Sequence, residues 1–291
     1  MSHAAARAEA GTEGFVRAGG ITLRAVRDAG AGRSVLVLHG FTGSAESMQG
    51  VARDLAGRRE VVRLELVGHG GSDAPRELAA YAMPACAGQI VDAVAGLGLE
   101  RPHLLGYSMG GRAALAAAIA APEAFSSLVL VGATAGIADP IARAERVVAD
   151  EALAARIERE GIEAFVDAWM ALPLFASQAR LGPEALARSR RDRLRQRPQG
   201  LANSLRGMGA GAQPPLHDRL DRIAVPVLLV VGEEDAKFRG IAEELRRLLA
   251  DARIAILPDA GHAAHLEAPA AFAACVSHFL DDVDAGREER S

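Results

Sequence analysis

The apolar positions of this chain change period along its length, and those changes divide it into elements. Ser34-Val35-Leu36-Val37-Leu38 is a nearly unbroken apolar run, the signature of a strand buried on both faces. Val61 to Leu66, His103 to Leu105, Ser127 to Val131, Val225 to Val231 and Ile254 to Leu257 read the same way. Ile21 to Val26 partly alternates apolar and polar residues and predicts an edge strand. Helical spacing fills the gaps. Met48, Val51 and Leu55 share one face of a helix that Ser44 precedes near its cap. Further helices run from Met83 to Leu97, with Pro84 tolerated in the first turn, from Ile241 to Leu249 and from Ala268 to Leu280. Strands alternating with helices predict an α/β fold, with a mostly parallel central sheet and helices on both faces.

The alternation stops between about Ile137 and Leu216. Ala142 to Glu160 is amphipathic, Ile162 to Leu172 is a second helix ended by Pro173, Pro183 to Arg197 a third stopped by Pro198, and Leu201 to Met208 a fourth. An all-helical insertion into an α/β sheet reads as a cap over the site; the alternative is a separate helical domain. The expected organisation is a flexible tail over 1–14, an α/β core over 15–136 and 217–291, and a helical cap over 137–216. The charged residues from Asp281 onward are expected to fray.

Half of the 291 residues are hydrophobic, enough for a large core. A net charge of −4 gives no sign of a nucleic-acid partner. Lys237 is the only lysine among 33 basic residues, a bias attributable first to base composition. No apolar run reaches membrane-spanning length, and Met1-Ser2-His3-Ala4 lacks the apolar core of a signal peptide, so a cytoplasmic location without a membrane partner is expected. Cys86 and Cys275 sit in apolar, helix-like stretches and read as buried thiols rather than a disulfide or metal ligands. No metal and no organic cofactor is expected, and the oligomeric state is left open.

The chemistry concentrates at strand ends. Leu104-Leu105-Gly106-Tyr107-Ser108-Met109-Gly110-Gly111-Arg112 reads as a short strand, a sharp turn and the start of an alanine-rich helix, the context of a nucleophile elbow. Small residues must flank the serine in so tight a turn, and its oxygen then stands at a helix N-terminus, where free amides favour negative charge. A serine nucleophile needs a base, and the base an orienting carboxylate. The strand ending at Val231 leads into Gly232-Glu233-Glu234-Asp235, and that ending at Leu257 into Pro258-Asp259-Ala260-Gly261-His262. Ser108, Asp235 and His262 are therefore the candidate catalytic triad; Glu234 or Asp259 could take the place of Asp235. His39-Gly40-Phe41 follows the first buried strand, and the backbone amides of Phe41 and Met109 are the candidate oxyanion donors. His69 and His265 read as structural.

Together the elbow, His39-Gly40-Phe41, Gly68-His69-Gly70-Gly71-Ser72 and Gly261-His262 resemble the α/β-hydrolase superfamily over nearly the whole chain. Four stretches narrow the resemblance: Gly106 to Arg112, Phe165-Val166-Asp167-Ala168-Trp169 with Leu172 to Ser177, Arg197 to Gly209 continuing through Gly211-Ala212-Gln213-Pro214, and Gly232 to Phe238. They are similar to the 2-succinyl-6-hydroxy-2,4-cyclohexadiene-1-carboxylate synthases (SHCHC synthases) of menaquinone biosynthesis. Two features depart from that pattern. Glu65 and Val67 stand where Asp and Pro are usual, and His217 where Trp is frequent.

The resemblance implies a carbon–oxygen lyase rather than a hydrolase, in which the triad acts as a base and pyruvate is eliminated from a small tricarboxylate. Such a substrate calls for fixed positive charge, and the arginine fork suits carboxylates. Arg112, one turn past the elbow, is the leading substrate-binding candidate, followed by Arg143, Arg146 and Arg206, with Tyr107, Trp169 and Phe175 as pocket walls. Arg188, Arg190, Arg191, Arg193 and Arg195 read as solvated surface residues. The alternatives are a serine hydrolase acting on small esters or carbon–carbon bonds through the same triad, and a non-catalytic binding protein, which the intact Ser, Asp and His disfavour.

Overall fold

The computed structural model describes residues 11–288. Eight strands form one sheet in the order β1-β2-β4-β3-β5-β6-β7-β8. They are β1 (Thr12–Ala18), β2 (Ile21–Asp28), β3 (Gly30–Leu38), β4 (Gly57–Leu64), β5 (His103–Tyr107), β6 (Ser127–Val131), β7 (Val227–Gly232) and β8 (Ala252–Leu257). β1 and β2 pair antiparallel at one end of the sheet, and every pair from β4 to β8 is parallel. The expected α/β class with a mostly parallel sheet is the one observed.

Side chains alternate between two cores because the strand repeat is two residues. Leu36, Leu38, Leu104, Leu128, Leu130 and Leu229 point to one face, packed by α2 (Met83–Gly96) and α3 (Met109–Ala120). Val35, Val37, Leu105, Val129, Val131 and Leu228 point to the other, packed by α1 (Gln49–Leu55) and, at the chain's end, α9 (Pro269–Glu288). Alanine dominates α3 because the helix is buried almost throughout, and small side chains let it lie close to the sheet.

From β3 the chain goes out through α1 to β4, then crosses back through α2 to β5 on the other side of β3. Parallel sheets open a crevice where the winding reverses. The loops carrying His39-Gly40-Phe41 and Ser108 leave the sheet at that point.

Three expectations shift. The edge strand is β1, beginning at Thr12, so the stretch expected as a tail is a strand from that residue on; residues 1–10 lie outside the described residues. Ile21 to Val26 is an inner strand, between β1 and β4. The helix expected to end near Leu280 continues to Glu288, because Asp281 and Asp284 are gripped from the sheet: Arg59 donates to Asp281 at 2.6 Å and also to Asp284, and Arg33 reaches Asp284 at 3.0 Å.

Between β6 and β7 lie only helical segments: α4 (Pro140–Met170), broken at Gly161, a 3-10 stretch at Pro173–Leu181, α5 (Gly182–Leu194), α6 (Pro198–Met208) and a second 3-10 stretch at His217–Arg222. α6 rests on the loop after β4, where Gly200 meets Gly68 backbone to backbone and a Cβ at Gly200 would collide with the Gly68 carbonyl. Gln196 accepts from Gly70 N at 2.9 Å and donates to Gly43 O at 2.9 Å. Completing the fold are α7 (Ala236–Leu248) and the short α8 (Ala264–Glu267). No helix among the described residues is long and apolar enough to cross a membrane.

Candidate active site

Ser108 sits between β5 and α3 at φ 51° and ψ −109°, a strained conformation for a residue with a side chain. Its surroundings hold it there. Ser108 N donates to Val131 O at 2.8 Å. A Cβ at Gly106 would strike the Gly110 carbonyl, and one at Gly110 would lie 2.5 Å from His39 O. The flanking glycines are therefore demanded by backbone-to-backbone approach.

His262 follows β8 and stands between the serine and a carboxylate. Its Nε2 lies 3.1 Å from Ser108 Oγ, and its Nδ1 lies 2.9 Å from Asp235 Oδ2. With Nδ1–H donating to the carboxylate, Nε2 is left as the acceptor for the serine proton. Asp235, after β7, uses its other oxygen to cap α7, accepting from Phe238 N at 3.2 Å. Its neighbours are turned elsewhere: Glu234 pairs with Arg180 at 2.9 Å, and the Asp259 side chain is exposed. His262 is 4% exposed. Rings close around it, with Phe238 at 4.4 Å, Tyr107 at 5.5 Å and Phe175 at 6.3 Å between centroids.

The Phe41 and Met109 amides donate to no other protein group among the described residues. Met109 N is free because it belongs to the first turn of α3. The Phe41 loop is set by His39, whose Nδ1 donates to Gly40 O at 2.8 Å and whose Nε2 accepts from Leu66 N at 3.1 Å. Burial pushes the His39 imidazole down to about 4 and that of His69 to about 3, so both are neutral near pH 7. Glu65, fully buried, binds the same two loops together, accepting from Ala45 N at 3.0 Å and Gly71 N at 2.7 Å and pairing with Arg24 at 2.7 Å.

Phe41 packs on Trp169 at 5.2 Å, and Trp169 on Phe175 at 5.7 Å. The aromatic wall expected from Trp169 and Phe175 thus runs from the Phe41 loop to His262. Trp169 Nε1 is closed off from solvent and has no hydrogen-bond partner among the described residues. On the other side the Tyr107 ring packs against His265 at 4.4 Å, tilted by 55°. Tyr107, Gly40 and Phe41 open onto a cavity of about 760 Å³ under α5.

The arginines divide. Arg112 is buried and donates through Nη1 to Met208 O at 2.9 Å and Gln213 Oε1 at 2.6 Å. No carboxylate pairs with it among the described residues, and burial lowers its pKa to about 10. Arg206, expected in the pocket, is instead held by Glu151 at 2.8 Å and Glu158 at 2.6 Å, because it lies where α6 faces two glutamates of α4. Arg146 likewise pairs with Asp150 one turn along α4 at 2.7 Å and is half exposed. Arg143 donates to Ile137 O at 3.1 Å. Arg146 and Arg206 are thus already paired with carboxylates of the chain, whereas Arg143 makes no ion pair among the described residues. Arg193, set aside in the sequence as a surface residue, lines the cavity. Gln213 and Phe238 were not singled out either. The Gly209-to-Pro214 turn and the Asp235 cap position them, and neither carries a sequence signal of its own. No group of three or more His, Cys, Asp or Glu suited to a metal occurs among the described residues.

A family model described as the alpha/beta hydrolase fold matches residues 33–269. A Bacillus subtilis (strain 168) protein provisionally named 2-succinyl-6-hydroxy-2,4-cyclohexadiene-1-carboxylate synthase is 43% identical over 261 residues, 89% of this chain and 95% of its own. The chain belongs to the α/β-hydrolase family, in its SHCHC synthase branch. The synthase of that name from Enterobacter sp. (strain 638) is 32% identical, covering 84% of this chain and 91% of its own. The solved structure of MenH from S. aureus superposes with a TM-score of 0.85 at 30% identity, over 89% of this chain and 98% of that one. The resemblance read from the cap segments is the one these comparisons give.

Proposed function

We propose that this enzyme is an SHCHC synthase, a carbon–oxygen lyase that eliminates pyruvate from a succinylated enolpyruvyl cyclohexene carboxylate in menaquinone biosynthesis. The observation that carries this reading is the pairing of a formed triad with Arg112, a buried cation that makes no ion pair among the described residues; its hydrogen bonds go to neutral acceptors, and Asp150, itself paired with Arg146, acts on it from beyond ion-pair distance. An esterase pocket for neutral acyl groups has no use for a buried guanidinium without an ion pair of its own, whereas an anionic substrate would supply one.

In this mechanism His262, oriented by Asp235, takes the Ser108 proton, and the serine oxygen acts as the base. It removes a proton from the ring carbon beside the succinyl ketone. The electron pair moves through the ring double bond and breaks the bond from ring carbon to enolpyruvyl oxygen; the departing enolate takes up the proton held on His262 and becomes pyruvate, while Ser108 keeps the proton from the ring. Negative charge gathers meanwhile on the succinyl ketone oxygen, which the Phe41 and Met109 amides would receive. Arg112 would bind a substrate carboxylate, and Tyr107, Trp169 and Phe175 would exclude water. The reaction requires no metal or organic cofactor. The substrate is a small water-soluble anion, and we place the enzyme in the cytoplasm.

Purified enzyme given the succinylated enolpyruvyl substrate should release pyruvate in step with product, with no adduct on Ser108 by mass spectrometry. A burst with nitrophenyl esters and no pyruvate would replace the lyase with a serine hydrolase.

A further inference from the structure

The arginines of the helical segment between β6 and β7 are mostly neutralised on its outer surface: Arg190 by Glu163 and Asp167, Arg206 by Glu151 and Glu158, Arg156 by Glu160. Arg193 on α5 is not. Among the described residues it makes no ion pair. Its Nη1 donates to Ser189 O at 3.0 Å and to Ser189 Oγ, on its own helix. Its Nε is closed off from solvent and has no acceptor among the described residues. The guanidinium lines the cavity beside Phe41, Thr42 and Tyr107, and Thr42 Oγ1 also lacks a partner. Burial holds Arg193 below the usual arginine range, and the Tyr107 phenol is close enough to act on it electrostatically. The adjacent Asp192 faces the same cavity but makes no hydrogen bond to it, and burial raises that carboxyl. Asp192 and Tyr107 act on Arg193 electrostatically but neither pairs with it, so a half-buried cation loses hydration without gaining an ion pair in the free protein. Its place, next to the loop that supplies the Phe41 amide and to the residue before Ser108, gives it an anion to meet.

We infer that Arg193 binds a carboxylate of the substrate at the Phe41–Tyr107 end of the cavity. Arg112 would hold a second carboxylate on the side of Met208 and Gln213. Two separate arginines would then read two of the anionic groups of one ligand, and the spacing between them would select for a polycarboxylate over a simple ester. The identity of the anion rests on the lyase reading; the anion subsite itself does not.

Two measurements keep those claims apart. The first is steady-state pyruvate release by wild type, Arg193→Gln, Arg193→Lys and the exposed control Arg191→Gln. The second is equilibrium binding of the substrate to the Ser108→Ala protein, and of succinate to wild type, each followed by the fluorescence of Trp169, the only tryptophan. Arg193→Gln should raise KM and weaken binding of both anions by roughly 10- to 100-fold. Arg193→Lys should recover part of the loss and Arg191→Gln should behave as wild type, with melting temperatures close throughout. Failure of wild type to release pyruvate would remove the lyase reading alone, and weaker succinate binding by Arg193→Gln would still uphold the subsite. Equal anion binding by wild type and Arg193→Gln, or no succinate and no substrate binding by either, would overturn it.

Discussion

Asp235 holds His262 with only one of its carboxylate oxygens, Oδ2 at 2.9 Å from Nδ1, while Oδ1 accepts from Phe238 N. Both contacts require an acceptor. In Asp235→Asn the amide oxygen would keep the helix cap and the amide NH₂ would face Nδ1. The imidazole would then carry its proton on Nε2 and could not take one from Ser108. Turnover should fall by about ten-thousand-fold with little change in melting temperature, and adding Ser108→Ala should reduce it hardly further. Pyruvate release and thermal unfolding on the single and double variants test this.

Arg112 joins the elbow helix to the Met208 carbonyl and Gln213, and it is also the proposed carboxylate ligand. Arg112→Ala should therefore do two things. Leaving those buried acceptors unpaired should lower stability by about 1–3 kcal/mol. Loss of the substrate ion pair should cut kcat/KM by roughly 30- to several-thousand-fold. Arg112→Lys should restore only part of the activity, since an ammonium lacks the fork. Equal losses on the tricarboxylate and on any slowly turned-over neutral ester would leave Arg112 with the bracing role alone.

Arg206 supplies the contrast. Its partners Glu151 and Glu158 are about half exposed, and such networks contribute little in water. Arg206→Ala should change stability by less than about 1 kcal/mol and leave kcat/KM at the wild-type value. A large rise in KM would return Arg206 to the substrate site.

Acid should destabilise the fold well before carboxylates titrate in bulk. His39, His69 and His265 are buried and neutral, with pKa values pushed to about 4, about 3 and about 3 from an ordinary 6.5. Below pH 6.5 the unfolded chain binds protons on these rings that the native protein refuses. Stability is thus full above pH 6.5 and falls as pH drops towards 4, each histidine contributing up to about 1.4 kcal/mol per pH unit. Glu65, whose pKa burial raises, acts in the opposite sense. Urea midpoints at pH 7.5 and pH 5 should differ clearly, and an unchanged midpoint would contradict the assignment of neutral rings.

Most of the sheet and the triad could be read from the chain because both leave local signals. A strand buried on two faces must be apolar throughout, and a residue at a strand end announces itself through the glycines around it. β1 was missed because an edge strand needs one apolar face only, and Phe15 is exposed while Val16 is buried. The arginines were not separable in the sequence. Arg190 and Arg193 stand three apart on one helix in the same charged run, yet one meets Glu163 and Asp167 across the outer surface and the other turns under α5. Which cation finds a partner depends on residues more than twenty positions away, and periodicity does not encode that.

The elbow leaves the chain no room to drift. One added carbon at position 106 or 110 meets main chain that cannot swing aside, so the serine's place can be kept or lost but not adjusted by degrees. The helical segment between β6 and β7 is held differently: besides backbone contacts such as Gly200 on Gly68, it meets the rest of the fold through side chains such as Gln196. A change in α4 to α6 can therefore leave the serine where it is, whereas a change at the elbow cannot.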